Sequence, residues 1–284
     1  MLIGPLLDAL IDRAFEEDLA GGDLTTESIV DASVQATGNA VARKPLVVCG
    51  GPVFRRVFER LDPEVRFESL IADGQSIPVG AVAWRVRGSA RSLLMAERTA
   101  LNLVQRMSGT ATAARRYVAA LPPGSTTRIA DTRKTTPGLR ALERYAVRVG
   151  GAHNHRDSLG SAVLIKDNHI VAAGGIATAI ARARQRAPHT SRIEVEVASL
   201  VELDEAVGAG ADVIMLDNFS IEDVREASAR VRRLTPRPIL EVSGGITLER
   251  IPELAAAGVD VISVGALTHS APAADIALDL ELLR

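Results

Sequence analysis

Short apolar segments alternate with helical patterns through the second half of the chain, and this alternation constrains the fold more than any other feature. The predicted strands are 127–130, 162–165, 193–197, 213–216, 239–242 and 261–264. The predicted helices between them are 138–149, 170–186, 200–207, 221–234 and 248–257. Such alternation is typical of βαβ units and a parallel sheet. The number of units and the lack of a Rossmann glycine fingerprint favour an α/β barrel of TIM type over a doubly wound sheet.

The first half has a different pattern, which predicts a small α+β domain with an antiparallel sheet. An amphipathic helix is expected over residues 1–20, and short β-like runs follow from 36 to 86, interrupted by a helix at 52–61. The turn that starts at Gly21 continues into Asp23, a helix-capping residue type.

The two halves are joined by helical sequence. A strong helix is predicted over 92–108 and is expected to end at Gly109, followed by a second helix over 111–121. We therefore divide the chain into an N-terminal domain, 1–109, and a barrel domain, 110–272. A final amphipathic helix is predicted over 273–284, where it could return to the N-terminal domain.

Composition excludes several classes of function. The formal net charge of −2 gives no overall field that would attract nucleic acid or an acidic membrane, so an anion site must be local. No apolar run reaches the roughly 20 residues of a membrane-spanning helix. The start of the chain lacks the basic leader of a secretory signal. The lone Cys49 excludes an intramolecular disulfide, which fits a cytoplasmic protein.

Polar residues stand where the predicted barrel strands end. Because these ends meet at one mouth of a barrel, cations, carboxylates and small residues are expected to converge there. The residues concerned are Thr132, Arg133, Lys134, Lys166, Asp167, Asn168, His169, Glu194, Glu196, Asp217, Asn218, Ser243, Gly244, Gly245, Gly265 and Ala266. Glycine loops bind phosphate through backbone N–H groups, and arginines bind carboxylates. Carboxylates bind ribose hydroxyls or Mg²⁺. A phosphorylated sugar and an aromatic acid would use all three classes.

Lysine is rare in this chain, and its positions support a local anion site. The three lysines are Lys44, Lys134 and Lys166, and two of them fall in the predicted strand-end clusters. A lysine kept in an arginine-rich sequence suggests a need for its compact charge.

Taken in order, the segments DTRKTTPGLR, YAVRVGGAHNHR, LIKDNH, EVEV, MLDN, SGG and VGALTHS resemble those of quinolinate phosphoribosyltransferases, also called carboxylating nicotinate-nucleotide pyrophosphorylases. The N-terminal EEDLAGGDLTT and the helix AERTALNLVQRMSG resemble that family too, so the resemblance covers essentially the whole chain. It departs in the loop after Arg156, where Asp157, Ser158 and Ser161 stand in place of the Leu-Gly and Asp of many bacterial members.

The resemblance implies a fold, a reaction and an assembly. The fold would be an open-faced α/β sandwich followed by an incomplete, seven-stranded α/β barrel. The protein would be a pentosyltransferase that converts quinolinate and phosphoribosyl pyrophosphate (PRPP) into nicotinate mononucleotide, pyrophosphate and CO₂, with Mg²⁺, for NAD biosynthesis. It would work as a homodimer or a multiple of dimers, with the site at the subunit interface.

The resemblance also implies roles for single residues. Arg133, His155 and Arg156 would hold the quinolinate carboxylates, with Thr132 and Lys134 beside them, and Arg98 would reach the site from the partner subunit. Lys134 and Lys166 would face the pyrophosphate, and Glu196 and Asp217 the ribose and the Mg²⁺ that PRPP carries. The 5′-phosphate would be held by Ser243, Gly244, Gly245, Val264, Gly265 and Ala266.

Several alternatives stay open at the level of sequence. A relative that uses nicotinate or another nitrogen base would need fewer cations, and a non-catalytic paralogue, including a related molybdate-uptake group, would lack the full cation set. Three histidines, at 153, 155 and 169, are compatible with zinc, but two of them alternate on a loop beside cations, which disfavours a metal role. His169 fits a helix cap as well as a ligand contact.

Overall fold

A computed structural model describes residues 4–283 of the chain, which divides into two compact units. Within the described residues, the first unit consists of 4–115, 135–151 and 267–283, and the second of 116–134 and 152–266. Among the described residues, no helix is long and apolar enough to cross a membrane.

The elements follow one another in mixed α/β order. The helices are α1 (Gly4–Leu19), α2 (Leu24–Ile29), α3 (Gly51–Leu61), α4 (Ala90–Ala119), α5 (Arg140–Val149), α6 (Asp167–Ala173), α7 (Ile176–Arg186), α8 (Leu200–Gly208), α9 (Ile221–Val231), α10 (Ile251–Ala256) and α11 (Ala266–His269), with a 3-10 turn at Leu248–Arg250. The strands are β1 (Gln35–Ala42), β2 (Leu46–Val47), β3 (Arg66–Ser69), β4 (Ser76–Ile77), β5 (Val82–Ser89), β6 (Arg128–Ala130), β7 (Val163–Ile165), β8 (Ile193–Val197), β9 (Val213–Asp217), β10 (Ile239–Ser243), β11 (Val261–Ser263) and β12 (Ile276–Leu282).

The first unit is built on a four-stranded antiparallel sheet in the order β12-β1-β5-β3, as the sequence predicted for this half. Its core contains aromatic side chains from α3 and β5: Phe54 stacks on Trp84 at 5.1 Å and lies 4.9 Å from Phe58, measured between ring centroids. Such aromatic pairs dominate the burial of a small core. Asp23 caps α2 by accepting the Thr26 N–H at 2.9 Å, so the predicted capping signal is confirmed.

The last segment of the chain is a strand, and the helix predicted over 273–284 is wrong. β12 pairs antiparallel with β1, from Ile276 opposite Ala42 to Leu282 opposite Ala36. The apolar residues Ile276, Leu278, Leu280 and Leu282 alternate with other residues, and this period of two is the pattern of a strand. The edge of β1 supplies the partner, which a reading of the segment in isolation cannot show.

The helix expected to end at Gly109 continues through that residue. α4 is a single helix of 30 residues, from Ala90 to Ala119, in place of the two that were predicted. Gly109 does not end the helix. It allows the backbone of Pro272 to pack closely against α4, because a Cβ atom at position 109 would overlap the carbonyl oxygen of Pro272.

The second unit contains a parallel sheet of six strands in the order β6-β11-β10-β9-β8-β7, flanked by helices. All six predicted strands are present, each within one residue of its predicted ends, because each is a short β-branched run. The resemblance implied seven strands; the described residues form six, and a single-residue parallel bridge between Ala130 and His153 extends the sheet beyond β6.

Two helices of this unit are interrupted where one continuous helix was predicted. The pattern over 170–186 separates into α6 and α7 at Gly174 and Gly175, which are poor helix formers. The pattern over 248–257 begins as the 3-10 turn and becomes α10 at Ile251, with Pro252 near its start, where proline is tolerated.

Candidate active site

The carboxyl ends of the parallel strands surround one pocket of about 600 Å³ in the second unit. Thr132, Arg133 and Lys134 follow β6, at one edge of the sheet, and Lys166 follows β7, at the other edge. Because both edges contribute to one pocket, the sheet curves around it as an incomplete barrel. The lining comprises Thr132, Arg133, Lys134, His155, Arg156, Leu164, Lys166, Glu196, Met215, Asp217, Asn218, Ser243, Gly244, Gly245 and Ser263.

A buried carboxylate anchors the cationic side of the pocket. Asp131, directly after β6, is fully buried and accepts the backbone N–H of His155 at 2.7 Å and the side-chain amide of Asn154 at 2.6 Å. In addition, its own N–H donates to the His153 carbonyl at 3.0 Å. These bonds hold the segment that carries His155 and Arg156 against the end of β6, beside Arg133.

Two arginines of the pocket lie close enough to repel one another. Burial and the charge of Arg133 both lower the pKa of the Arg156 guanidinium, while Glu194 acts in the opposite sense. Arg156 is steadied by a bond from Nη1 to the Ala162 carbonyl at 3.1 Å. Two guanidinium groups this close concentrate positive charge in a half-buried pocket, which suits an anionic ligand.

The loop after Arg156, where the sequence analysis expected a departure from the family, is closed by a serine. The Ser161 hydroxyl accepts the N–H groups of Asp157 and Ser158, at 3.1 and 3.3 Å, and donates to the Ser158 carbonyl at 3.1 Å. A hydroxyl can make all three contacts because it both donates and accepts.

Lys166 and Glu196 form an ion pair across the mouth of the pocket. Lys166 directly follows β7, and Glu196 lies in the neighbouring strand β8. The parallel pairing of these strands brings the two side chains to the same level. His169 does not enter this cluster: its Nδ1 accepts the backbone N–H of Lys166 at 2.9 Å, at the start of α6. Of the two roles that the sequence allowed, the structure assigns the capping role to His169.

A tight contact at the ends of β9 and β10 forms the small-residue side of the pocket. Asn218 adopts a left-handed backbone conformation, with φ of 56°, and its side-chain amide donates to the Asp217 carboxylate at 2.9 Å. Gly244, with φ of 90°, packs so closely that a Cβ atom would overlap the Asn218 side chain. Glycine is therefore required here, for its backbone conformation and for space. The adjacent backbone of Ser243 and Gly245 lines the pocket.

Beneath the mouth, His155 meets two buried glutamates. Its Nε2 lies 3.3 Å from Glu194 Oε1 and 3.5 Å from Glu241 Oε1. Burial lowers the pKa of His155, but the hydrogen bonds with Glu194 and Glu241 outweigh it, so the pKa lies above its ordinary value. Burial raises the pKa of Glu194, and the bond with His155 opposes that rise. Ser263 donates its hydroxyl to Glu241.

Most of the site residues predicted from the sequence line this one pocket. They are Thr132, Arg133, Lys134, His155, Arg156, Lys166, Glu196, Asp217, Ser243, Gly244 and Gly245. Four predicted residues are not in its lining: Arg98 is exposed on α4, and Val264, Gly265 and Ala266 follow β11. The Val264 N–H donates to the Ala130 carbonyl at 2.9 Å, so it is not available to a phosphate.

The sequence reading missed residues that lie just below the mouth. Asp131, Glu241 and Ser263 were not predicted as site residues, and Glu194 was expected at the strand ends without a role of its own. The signal for Glu241 was the period of two along a strand: Glu241 shares a face with Ser243 on β10, as Glu194 shares a face with Glu196 on β8. Each pair places one residue at the mouth and one a layer deeper.

Family models match nearly the whole chain. The model of the quinolinate phosphoribosyl transferase C-terminal domain matches residues 110–279, and that of the N-terminal domain matches residues 23–108. The two matches meet between 108 and 110, next to the predicted domain boundary at 109.

Full-length relatives and solved structures agree with these matches. A probable nicotinate-nucleotide pyrophosphorylase [carboxylating] of Bacillus subtilis is 45% identical, over 97% of this chain and 94% of the relative. The nicotinate-nucleotide pyrophosphorylase [carboxylating] of Homo sapiens is 42% identical, over 99% and 94%. The crystal structure of NadC from Streptococcus pyogenes superposes with a TM-score of 0.94 at 41% identity, over 100% of this chain and 99% of that one. The chain therefore belongs to the quinolinate phosphoribosyltransferase family.

Proposed function

We propose that this protein transfers the phosphoribosyl group of PRPP to quinolinate and removes the 2-carboxylate, giving nicotinate mononucleotide, pyrophosphate and CO₂. The observation that carries the proposal is the pair of mutually repelling arginines, Arg133 and Arg156, in the same pocket as the lysines Lys134 and Lys166. Such a pocket suits two polyanions bound together, an aromatic diacid and a pyrophosphate ester, and the family membership supports these two substrates.

The first substrate, quinolinate, is assigned to the guanidinium side. Arg133 and Arg156 offer planar forks that match carboxylates, and the Asp131 anchor holds the segment of Arg156 next to β6. Binding a dicarboxylate here removes the repulsion between the two guanidinium groups, so the free enzyme is organised for a ligand of that charge.

The second substrate, PRPP, is assigned to the other side of the pocket. Its 5′-phosphate is placed against the backbone of Ser243, Gly244 and Gly245, since glycine turns present N–H groups to phosphate. Its pyrophosphate is placed between Lys134 and Lys166. Because Lys166 pairs with Glu196 in the free protein, we infer that Lys166 exchanges this partner for a phosphate when PRPP binds, which leaves the Glu196 carboxylate for the ribose.

The reaction begins as the bond between ribose C1 and pyrophosphate breaks, and positive charge develops on the sugar. Glu196 and Asp217 line the pocket and stabilise this charge, while Lys134 and Lys166 neutralise the departing pyrophosphate. Asp217 is held in place by the Asn218 amide. The pyridine nitrogen of quinolinate then attacks C1, and the enzyme acts mainly by position and charge.

Decarboxylation follows from the new bond. With the ring nitrogen now cationic, loss of CO₂ from C2 leaves a carbanion beside that charge, and a proton from solvent then completes nicotinate mononucleotide. The described residues of the pocket need supply no covalent nucleophile for this step.

Mg²⁺ is part of the proposal as the companion of PRPP. The carboxylate oxygens of Glu196 and Asp217 are of the type that Mg²⁺ prefers, which suits an ion that PRPP itself mainly holds, near those two residues. The ion would supply charge neutralisation to the pyrophosphate. A cytoplasmic location is also proposed, and the single cysteine supports it.

A homodimer, or a multiple of dimers, completes the proposed site. Arg98 is exposed on α4, between the buried Ala96 and Ala100, and belongs to the first unit. We assign it to the quinolinate pocket of the partner subunit, where it would add a further cation for the diacid.

Two other functions are disfavoured by the residues present. A transferase for nicotinate would need to neutralise one carboxylate, which leaves the pair of Arg133 and Arg156 unexplained. A non-catalytic paralogue, including one associated with molybdate uptake, would not need Lys134, Lys166, Glu196 and Asp217 around one pocket.

Replacing Arg133 by alanine should raise the KM for quinolinate by roughly a hundredfold and the KM for PRPP by less than about threefold, because a fork to a carboxylate is lost. Steady-state rates of CO₂ release with each substrate varied in turn measure both constants. The matched control is Arg225→Ala, which removes an exposed arginine of α9 that pairs with Glu253. It should leave both KM values unchanged. Equal effects on the two constants would refute the assignment of Arg133 to quinolinate.

Replacing Gly244 by alanine should lower kcat/KM for PRPP by about a hundredfold, because the new methyl group displaces Asn218 and the phosphate turn. Gly245→Ala is the control: this neighbour also has a positive φ, of 56°, but a Cβ atom there meets nothing within 4 Å. The loss of kcat/KM for PRPP in Gly245→Ala should stay within about tenfold. A larger loss for Gly245→Ala than for Gly244→Ala would contradict the proposed cradle.

Subunits inactivated in different ways should complement one another if Arg98 acts across the interface. Arg98→Ala and Lys166→Ala chains, unfolded together and refolded in equal amounts, should recover about a quarter of wild-type activity, since half of the dimers are mixed and each has one intact site. Arg133→Ala mixed with Lys166→Ala should recover none, because both residues line the pocket of one chain. Failure of the first mixture would exclude a shared site.

A further inference from the structure

A fully buried glutamate outside the pocket is not used by the proposed reaction. Glu143 belongs to α5, and its side chain is 0% exposed. It lies on the buried face of that helix, together with Leu142, Ala146 and Val147. A carboxylate in such surroundings is strongly unfavourable unless it is paired and hydrogen-bonded. The contacts of Glu143 therefore indicate why the chain has an acid at this position.

The Glu143 carboxylate accepts hydrogen bonds from two segments of the first unit. Arg106 of α4 donates from Nε to Oε1 at 2.9 Å, and its Nη2 lies 2.8 Å from the same oxygen. Thr136, in the loop before α5, donates its hydroxyl to Oε1 at 2.8 Å and its backbone N–H to Oε2 at 3.1 Å. The buried charge is thus satisfied by an ion pair and by this loop together.

The loop that Glu143 holds begins at the cations of the pocket. Thr136 follows Lys134 by two residues and Arg133 by three, and both of those cations line the pocket. Two residues of chain span at most about 7 Å, so a fixed Thr136 limits where Lys134 can lie. The Lys134 N–H in turn donates to the Thr132 hydroxyl at 3.1 Å. Anchoring Thr136 therefore restrains the whole segment 132–136.

Arg106 also binds a second segment of the same unit. Its Nη1 donates to the Ala271 carbonyl at 2.9 Å, and its Nη2 donates to the Thr268 carbonyl in α11. Five N–H donors in a rigid fork let one guanidinium serve a carboxylate and two carbonyl groups, whereas a lysine offers no such fixed geometry. Glu143 is therefore paired with a cation that is itself held in place.

We propose that Glu143 and Arg106 are positioning residues for the segment that carries Arg133 and Lys134. Neither of the two is among the residues that line the pocket, so they act on the substrates through Thr136. A well-placed segment keeps the Arg133 fork aligned with a carboxylate, and a small displacement weakens such a bidentate contact. This inference rests on the proposed function and deepens it, because it adds the residues that hold the quinolinate side in place.

A role in stability alone makes different predictions. A pair kept only for stability would act on the whole unit, so removing the Thr136 hydroxyl, which leaves the pair intact, would be selective for neither substrate. Buried ion pairs are often replaced by apolar residues without loss of stability, so stability is a weak reason for having one. Loss of positioning, in contrast, should be selective for quinolinate and for the segment 132–136.

The Thr136 hydroxyl offers the sharpest variant, because its removal leaves Arg106 and Glu143 paired. Thr136→Val keeps the shape of the side chain and loses the bond to Oε1, and Thr136→Ser keeps the hydroxyl and is the matched control. We expect Thr136→Val to raise the KM for quinolinate about fivefold and the KM for PRPP by less than about twofold. Thr136→Ser should stay within about twofold of wild type in both constants. Steady-state rates of CO₂ release measure them.

Hydrogen exchange tests the anchor without any substrate. In Glu143→Gln one oxygen becomes an NH₂ group that cannot accept, so at least one bond with Thr136 or Arg106 is lost. The peptide 132–139 should then exchange about tenfold faster than in wild type, measured by mass spectrometry, while peptides of β9 keep their wild-type rate. If this variant fails to fold, Thr136→Val takes its place, with an expected increase of about threefold.

Three results would overturn the inference. They are a KM for quinolinate that is the same in Thr136→Val and Thr136→Ser, equal rises of both KM values in Thr136→Val, and an exchange rate of peptide 132–139 that changes no more than that of β9. A wild-type protein that releases no CO₂ from quinolinate would instead contradict the proposed function. The exchange rates would still test whether Glu143 anchors the loop, since they require no turnover.

Discussion

The hydrogen bonds of Asp131 are the interaction on which the site depends most. A fully buried carboxylate at the end of β6 accepts from the backbone of His155 and from the side chain of Asn154, and so joins two segments that are more than twenty residues apart in the chain. Without it, the segment that carries Arg156 would lose two of its hydrogen bonds to the end of β6, where Arg133 lies. The buried Asp131 carboxylate is tolerated because it accepts two hydrogen bonds, from the His155 backbone and from the Asn154 side chain.

The pocket is arranged in two layers of charge. The upper layer, at the mouth, carries the cations Arg133, Lys134, Arg156 and Lys166 with the carboxylates Glu196 and Asp217. The lower layer carries the buried acids Asp131, Glu194 and Glu241, which contact His155 or its backbone. The lower acids hold the elements that carry the upper cations, so a chain with net charge −2 keeps a cationic pocket at one place on its surface.

Sequence reasoning predicted the fold where local pattern and tertiary context agree. The barrel strands are short β-branched runs that no other element competes for, and all six were found. It failed where a distant partner decides the structure. The carbonyl of Pro272 explains why Gly109 lies inside α4, and the free edge of β1 explains why the last segment is a strand. Neither partner is visible in a local window of sequence.

The same distinction applies to the site. Residues directly after a strand, such as Lys134, Lys166 and Asp217, were predicted because the ends of parallel strands meet at one mouth. Glu241 was missed, since one acidic residue within an apolar strand gives no sign of its partner, and His155 reaches it from a loop more than eighty residues earlier. The role of His155 was inferred from resemblance alone, and its contacts with Glu194 and Glu241 became visible only in the structure.

The central claim is tested most directly with quinolinate labelled in its 2-carboxylate. The account predicts that the purified protein releases labelled CO₂ only when PRPP and Mg²⁺ are both present, with one CO₂ formed for each pyrophosphate. Release of pyrophosphate with nicotinate as readily as with quinolinate, or no labelled CO₂ from a correctly folded protein, would contradict it.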